Sequence, residues 1–135
     1  MDDNCRIEIV ELHQFFQDWF NAVIPDIDES FSRLDHALGS RFELIGPEGK
    51  VAEREGLVAG LRSVYGQWKD NPGRIWIENM RRLHAEDNVV LFSYEEWQEV
   101  DGETAVRLSS VLFGVDTRAP NGVEWLHLHE VWKPQ

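Results

Sequence analysis

The stretch VVLFSYEEWQEVDGETAVRLSSVLFGV, residues 89–115, decides the fold, because it contains two long extended segments joined by a tight turn. Asp101-Gly102 is a strong hairpin signal, since a two-residue primed turn requires positive φ at both central positions. The turn predicts antiparallel strands at Val89–Val100 and Thr104–Val115. It also sets their register, so that every cross-strand neighbour can be named.

In this register Glu96 lies opposite Arg107, an opposite-charge pair that supports the alignment independently of the turn. Alternation along the two strands then divides their side chains between two faces. One face is mostly aliphatic, with Leu91, Leu108 and Leu112. We expect this aliphatic face to be the inner one.

Two further extended segments flank the hairpin, at Arg74–His84 and Val123–Trp132, and together the four predict an antiparallel meander. Helices precede it. Apolar residues spaced by three and four predict a helix over Ile7–Val23, a short one after Asp28 and a third over Leu57–Trp68. A short strand at residues 41–45 lies between the second and third helices.

The bulk composition indicates one domain over residues 1–135 and excludes several partners. A formal charge of -12 disfavours nucleic acid and anionic membranes, which both require Lys and Arg. No apolar run approaches the roughly 20 residues of a membrane span. The start Met-Asp-Asp-Asn lacks the basic, apolar pattern of a secretion signal, so a cytoplasmic location is expected, and Cys5 is the only cysteine.

The apolar stripes of the three helices need a cover, and the inner face of the sheet is predicted to supply it. Continued alternation places Leu126, Leu128, Glu130 and Trp132 of the last strand on that face. Polar and aromatic residues would converge there, as they do in a ligand pocket. The predicted group is Asn79, Arg81, Ser93, Glu95, Trp97, Ser110, Glu130 and Trp132.

Burial raises the pKa of a carboxyl group, so Glu95 and Glu130 are candidate general acid and base. Arg81 or Asn79 would hold a developing oxyanion. The predicted walls of the pocket are Trp97, Trp132, Ser110, Trp19 and Phe16. The favoured alternative is structural, with Glu95 or Glu130 paired to Arg81.

The opposite face is predicted to point outward. His127 and His129 share it, and two imidazoles at this spacing could chelate zinc or iron if Glu96 supplied a third ligand. Packing in an interface is the favoured explanation, and we expect no metal and no cofactor.

Tyr94-Glu95-Glu96-Trp97, the Arg107 strand and the closing segment Trp125–Trp132 resemble the nuclear-transport-factor-2-like superfamily, in its SnoaL-like and ketosteroid-isomerase-like branch. The resemblance implies an α+β fold in which a cone-shaped, curved antiparallel sheet packs against three N-terminal helices, the cystatin-like α+β barrel. It also implies a homodimer through the outer face, which would comprise Tyr94, Glu96, Arg107, Phe113, Trp125, His127 and His129.

Members of this superfamily catalyse several reactions or none, so the fold cannot select one. We expect a protein that binds a small apolar or amphipathic molecule. One hypothesis is a cofactor-independent isomerase or cyclase that uses acidic residues in an apolar pocket. The other is a noncatalytic dimeric accessory domain with a vestigial pocket.

Overall fold

Three helices pack against one face of a six-stranded sheet in the computed structural model, which describes residues Met1–Gln135. The elements follow the chain in the order α1 (Asp2–Phe20), α2 (Asp28–Asp35), β1 (Leu38–Ile45), β2 (Val51–Glu53), α3 (Arg54–Ser63), β3 (Arg74–Glu86), β4 (Val89–Val100), β5 (Glu103–Val115) and β6 (Val123–Trp132). The sheet is curved and unclosed. The α+β class and the helix-covered sheet are therefore confirmed.

The order of strands in the sheet is β2-β1-β6-β5-β4-β3. The meander from β3 to β6 is antiparallel, as predicted, but β1 runs parallel to β6, so the sheet is mixed. A parallel neighbour brings together segments far apart in sequence, and no turn signal marks such a pairing. The three-residue strand β2 was not predicted, because it is too short to show a periodicity.

The central hairpin has the predicted register. Asp101 and Gly102 have φ values of 54° and 78°, as a primed turn requires. Glu96 pairs with Arg107, and Leu91 with Leu112. The turn thus determines which residues of β4 and β5 are paired.

Strand β3 carries an irregularity next to β4. The register shifts between Glu78 and Arg81, and Asn79 has a φ of 56°, a left-handed conformation that asparagine tolerates better than most residues. An extra residue at this point reverses the alternation as far as Arg82, and a second register shift follows between Arg82 and His84. The exposed outer stretch of β3 therefore does not follow the alternation of Ile75 and Ile77.

The core lies between the helices and the face of the sheet defined by Phe92, Tyr94, Glu96, Val111 and Phe113, here called the helix-facing face. Cys5 is buried in this core, and burial raises the pKa of its thiol to about 11, which keeps it in the unreactive neutral form. None of the three helices has the length and the apolar character needed to span a bilayer.

The two faces of β4 and β5 are the reverse of the prediction. The residues expected to line the inside, Leu91, Ser93, Glu95, Leu108 and Ser110, lie on the uncovered side, here called the outer face. The fully buried side chains belong instead to the aromatic set. Both faces carry large apolar residues, so alternation separates the two sets without telling which set the helices cover.

Candidate ligand-binding site

A cavity of about 230 Å³ lies between the three helices and the helix-facing face. Most of its wall is apolar, and its polar residues come mainly from β4, β5 and β6. The lining residues are Leu12, His13, Phe16, Phe20, Leu34, Leu38, Phe42, Leu44, Leu57, Leu61, Gln67, Trp68, Ile75, Glu96, Gln98, Arg107, Trp125, Leu128 and Glu130. An apolar pocket with a few convergent polar groups is typical of a small-molecule site.

His13 of α1 and Glu96 of β4 form a buried pair at the polar end of this cavity. His13 Nε2 lies 3.0 Å from Glu96 Oε1, and His13 Nδ1 lies 2.7 Å from the carbonyl oxygen of Ile9. The exposed fractions of the two residues are only 3% for His13 and 6% for Glu96. Because the histidine projects from α1 into the sheet, the pair joins the two layers of the fold.

The protonation state of His13 follows from its two partners. The carbonyl oxygen of Ile9 and an ionised carboxylate can only accept hydrogen bonds, so both ring nitrogens must carry a proton. Burial alone would lower the pKa of His13, but the hydrogen bond and the charge of Glu96 outweigh it and raise that pKa. Burial would raise the pKa of Glu96, yet His13 holds it at about 2. The pair is an imidazolium and a carboxylate.

Glu130 of β6 and Arg107 of β5 form a second pair on the same face. Arg107 Nη1 donates to Glu130 Oε1 at 3.1 Å, and Ser109 Oγ donates to Glu130 Oε2 at 3.3 Å. Burial and then the charge of Glu96 raise the pKa of Glu130, against the opposing effect of Arg107. These four residues, His13, Glu96, Arg107 and Glu130, are here called the cavity floor. They carry two positive and two negative charges.

Two polar atoms beside this network are buried without a hydrogen-bond partner in the chain, Tyr94 Oη and Arg107 Nε. Burial, followed by the charges of Glu130 and Glu96, raises the pKa of Tyr94 well above its usual value. The phenol is therefore neutral at any physiological pH. Unpaired buried polar atoms of this kind are few in native proteins.

Stability is expected to fall as the pH rises, because His13 holds its proton more tightly when folded. The contribution of the pair is complete below pH 6.5, the usual pKa, and is lost as the pH passes the raised folded value. Between those limits the free energy of unfolding should drop by up to about 1.4 kcal/mol per pH unit. Urea unfolding at pH 6 to 9 measures the slope.

The control for this pH dependence is the double variant His13→Leu/Glu96→Leu, which removes both titrating groups of the pair. Its stability should vary less with pH over the same range. Parallel curves for the two proteins would show that His13 does not carry the pH dependence.

A protein-family model spans this site and nearly all of the chain. The model for the C-terminal region of sucrose-6-phosphate phosphohydrolase matches residues 5–134. The chain belongs to this family. Sequence relatives include sucrose-phosphatase 1 of Nicotiana tabacum, 23% identical over 93% of this chain, and a probable sucrose-phosphatase 3a of Arabidopsis thaliana, 19% identical over 96%. The chain spans about 30% of the length of either relative.

Solved structures confirm the fold that the sequence resemblance implied. An NTF2-like protein of unknown function from Pseudomonas aeruginosa superimposes with a TM-score of 0.84 at 24% identity, over 97% of this chain and 99% of that one. The family member described here therefore has the NTF2-like fold. At this identity the likeness establishes architecture and no activity.

The structure does not bring together the predicted acid and base. Glu130 lies at the cavity, but Glu95 lies on the outer face, where it accepts hydrogen bonds from Trp97, Asn79 and Lys133 at 3.0 Å each. The Trp97 and Lys133 hydrogen bonds lower the pKa of Glu95. Asn79 therefore lies beside Glu95 on the outer face and does not reach Glu130 at the cavity.

Arg81 is exposed on β3 opposite Ser93, so it pairs with neither acid. The structural partner of Glu130 is Arg107, and that of Glu95 is Lys133. The alternation error in β4 and the extra residue in β3 explain both misplacements.

The predicted pocket walls divide between three places. Phe16 lines the cavity, whereas Trp19 is buried next to it against Phe31 and Tyr65. Trp132 lies beside the cavity, with its ring 5.0 Å from the guanidinium carbon of Arg107. The other two predicted walls, Trp97 and Ser110, lie on the outer face.

Most of the residues predicted for a dimer surface are part of the core or the cavity. Tyr94, Phe113 and Trp125 are at most 2% exposed in the single chain and cannot contact a partner. Glu96 and Arg107 line the cavity. A dimer through the outer face stays a prediction, and its surface would instead include Leu108, Trp97 and Val131 together with the two histidines.

His127 and His129 do lie on the outer face, opposite Leu112 and Ser110. Glu96, the proposed third metal ligand, lies on the other side of the sheet. No three side chains of the ligating types come together in a group that could hold a metal ion.

Sequence reasoning missed His13, Gln98 and the role of Arg107. His13 could have been found from the sequence, because it is a polar residue within the apolar stripe of α1. It follows Leu12 directly and lies one turn after Ile9. A polar residue in such a stripe needs a buried partner. Gln98 carries no comparable signal.

Proposed function

We propose that this chain is a small-molecule-binding domain whose ligand occupies the cavity between the helices and the sheet. The observation that carries the proposal is a pocket of about 230 Å³ between the helices and the sheet, where a domain of this size normally has a packed core. Its apolar wall and charged floor suit an amphipathic ligand. The apolar part would lie among the helical side chains and the polar part near Gln98 and Arg107.

The volume sets the size of the ligand. An engineered apolar cavity of about 150 Å³ binds benzene. The larger cavity here, at about 230 Å³, has room for a substituted six-membered ring or a small bicyclic molecule. The family's name supports a binding module that accompanies a catalytic region, since the model describes the C-terminal part of a longer enzyme. Proton transfer between Glu95 and Glu130 has no geometric support and is not proposed.

Filling the cavity is expected to weaken ligand binding strongly. Leu57 of α3 lines the cavity, so Leu57→Trp should occupy the volume and weaken the binding of benzyl alcohol at least tenfold. We expect the unaltered chain to bind benzyl alcohol with a dissociation constant between about 0.1 and 10 mM, given its few non-hydrogen atoms. Titration followed by the indole N–H signal of Trp68, another lining residue, measures both constants.

Ala59→Trp is the matched control, because Ala59 is exposed on the same helix and does not line the cavity. This variant should bind benzyl alcohol like the unaltered chain. Equal affinities of all three proteins, or no response of the Trp68 signal in any of them, would contradict the proposed site.

A further inference from the structure

The charged side chains of the cavity floor are already paired with one another. Both nitrogens of His13 are engaged, by Ile9 and by Glu96. Glu96 accepts from His13 on one oxygen and from Gln98 on the other, at 2.6 Å. Glu130 likewise accepts on both oxygens. Each charge is thus balanced by a partner, and the atoms best placed to recognise a polar group of the ligand are those without a partner in the chain.

Two polar side chains on the strands of the cavity, those of Gln98 and Arg107, retain free hydrogen-bonding capacity. Gln98 donates through Nε2, which leaves its carbonyl oxygen Oε1 as an acceptor without a partner in the chain. Arg107 uses Nη1 toward Glu130, which leaves Nη2 as a free donor. Gln98 therefore offers a free acceptor and Arg107 offers free donors at Nη2 and Nε, and both residues line the cavity.

The register places these two groups close to each other. Glu96 is directly opposite Arg107, and Gln98 is opposite Ala105, so Gln98 and Arg107 are diagonal neighbours on the helix-facing face. Diagonal neighbours are about 7–8 Å apart at the backbone, a distance that long side chains bridge. A single ligand atom can therefore contact both side-chain ends.

The charges of the floor select against an ionic ligand. His13 is balanced by Glu96, and Arg107 by Glu130, so the floor has no net charge to offer. A carboxylate would lie near the two carboxylates of Glu96 and Glu130, and an ammonium group would lie near the two cations, His13 and Arg107. Each would also lose its hydration on entering an apolar cavity. A hydroxyl group carries no charge and both donates and accepts.

Given the proposed ligand site, on which this step rests, we propose that the cavity recognises uncharged alcohols with an apolar body. The hydroxyl group donates to Gln98 Oε1 and accepts from Arg107 Nη2, and the apolar body lies against the helices.

The test compares four probes that share one ring: benzyl alcohol, toluene, benzoate and benzylamine. Each is titrated into the full chain and followed by the Trp68 indole signal. Benzyl alcohol should bind at least tenfold more tightly than benzoate or benzylamine and several-fold more tightly than toluene. Benzoate or benzylamine binding as tightly as the alcohol would overturn the alcohol assignment while leaving the binding site intact.

Gln98→Met tests the contact itself, because methionine keeps the length of the side chain and removes the amide. In this variant the alcohol should lose its advantage over toluene, and the affinity for toluene should change less than twofold. An unchanged preference for the alcohol would overturn the role of Gln98. Failure of every probe to bind the unaltered chain would instead refute the proposed function.

Discussion

Replacing Glu8 by alanine is expected to lower the free energy of unfolding by about 3–5 kcal/mol, the usual cost of breaking a buried ion pair. Glu8 is fully buried in α1 and accepts four hydrogen bonds. Arg33 donates two, at 2.7 and 3.2 Å, Asn121 donates one at 2.9 Å, and the indole of Trp125 donates one at 2.8 Å. Its loss would leave these donors unpaired at the junction of α1, α2 and β6. Urea unfolding measures the difference.

Glu11→Ala is the matched control for this substitution. Glu11 lies one turn further along α1 and contacts the same two side chains, Arg33 at 3.6 Å and Asn121 at 2.8 Å. Its side chain is 53% exposed, however, and exposed pairs contribute about 1 kcal/mol or less. Similar losses for the two variants would show that Glu8 is not the buried anchor described here.

Glu96→Leu is expected to cost about 3 kcal/mol, because it leaves the buried imidazolium of His13 without its counter-charge. His13 must then lose its proton or remain unpaired. The double variant His13→Leu/Glu96→Leu should recover most of this loss, since a leucine pair has no desolvation penalty to offset. Urea unfolding of both single variants, the double variant and the unaltered chain completes the cycle.

The decisive comparison within that cycle is between the stability of the double variant and that of Glu96→Leu alone. A double variant less stable than Glu96→Leu alone would contradict the account of a coupled pair. A preserved dispersion of the NMR spectrum in each variant establishes that the native fold is being compared.

The sequence predicts the framework of the fold well, because local signals determine it. Asp101-Gly102 sets the β4–β5 register to the residue, and helical periodicity locates α1 and α3. The parallel contact of β1 with β6 has no local signal. To predict this pairing, one must know that the edge of β6 is still unpaired after the meander has formed.

The site is harder to predict because it depends on which face of a two-sided apolar sheet the helices cover. Alternation groups Glu96 with Tyr94 and separates both from Glu95, and the structure keeps this grouping. The choice of face rested on Leu91, Leu108 and Leu112, three aliphatic residues on the strand pair. The larger aromatic side chains bury more surface, so they outweigh the leucines in selecting the core.

The β6 strand shows why the error was only partial. Its predicted inner residues Glu130 and Leu128 do line the cavity. A register shift between Leu112 and Phe113 changes which residues of β5 and β6 share a face. The inner face can therefore be assigned correctly in β6 and wrongly in β5. Bulges of this kind leave little trace in the sequence.

The protonation state of His13 tests the central claim, that a charged pair of α1 and β4 forms the floor of the cavity between the helices and the sheet. Long-range ¹H–¹⁵N correlation spectra of the imidazole, recorded from pH 5 to 9, report the state of each ring nitrogen directly. The structure predicts that both nitrogens carry protons at pH 7 and that the pKa lies above 6.5. A neutral ring at pH 7, titrating at or below that value, would contradict it.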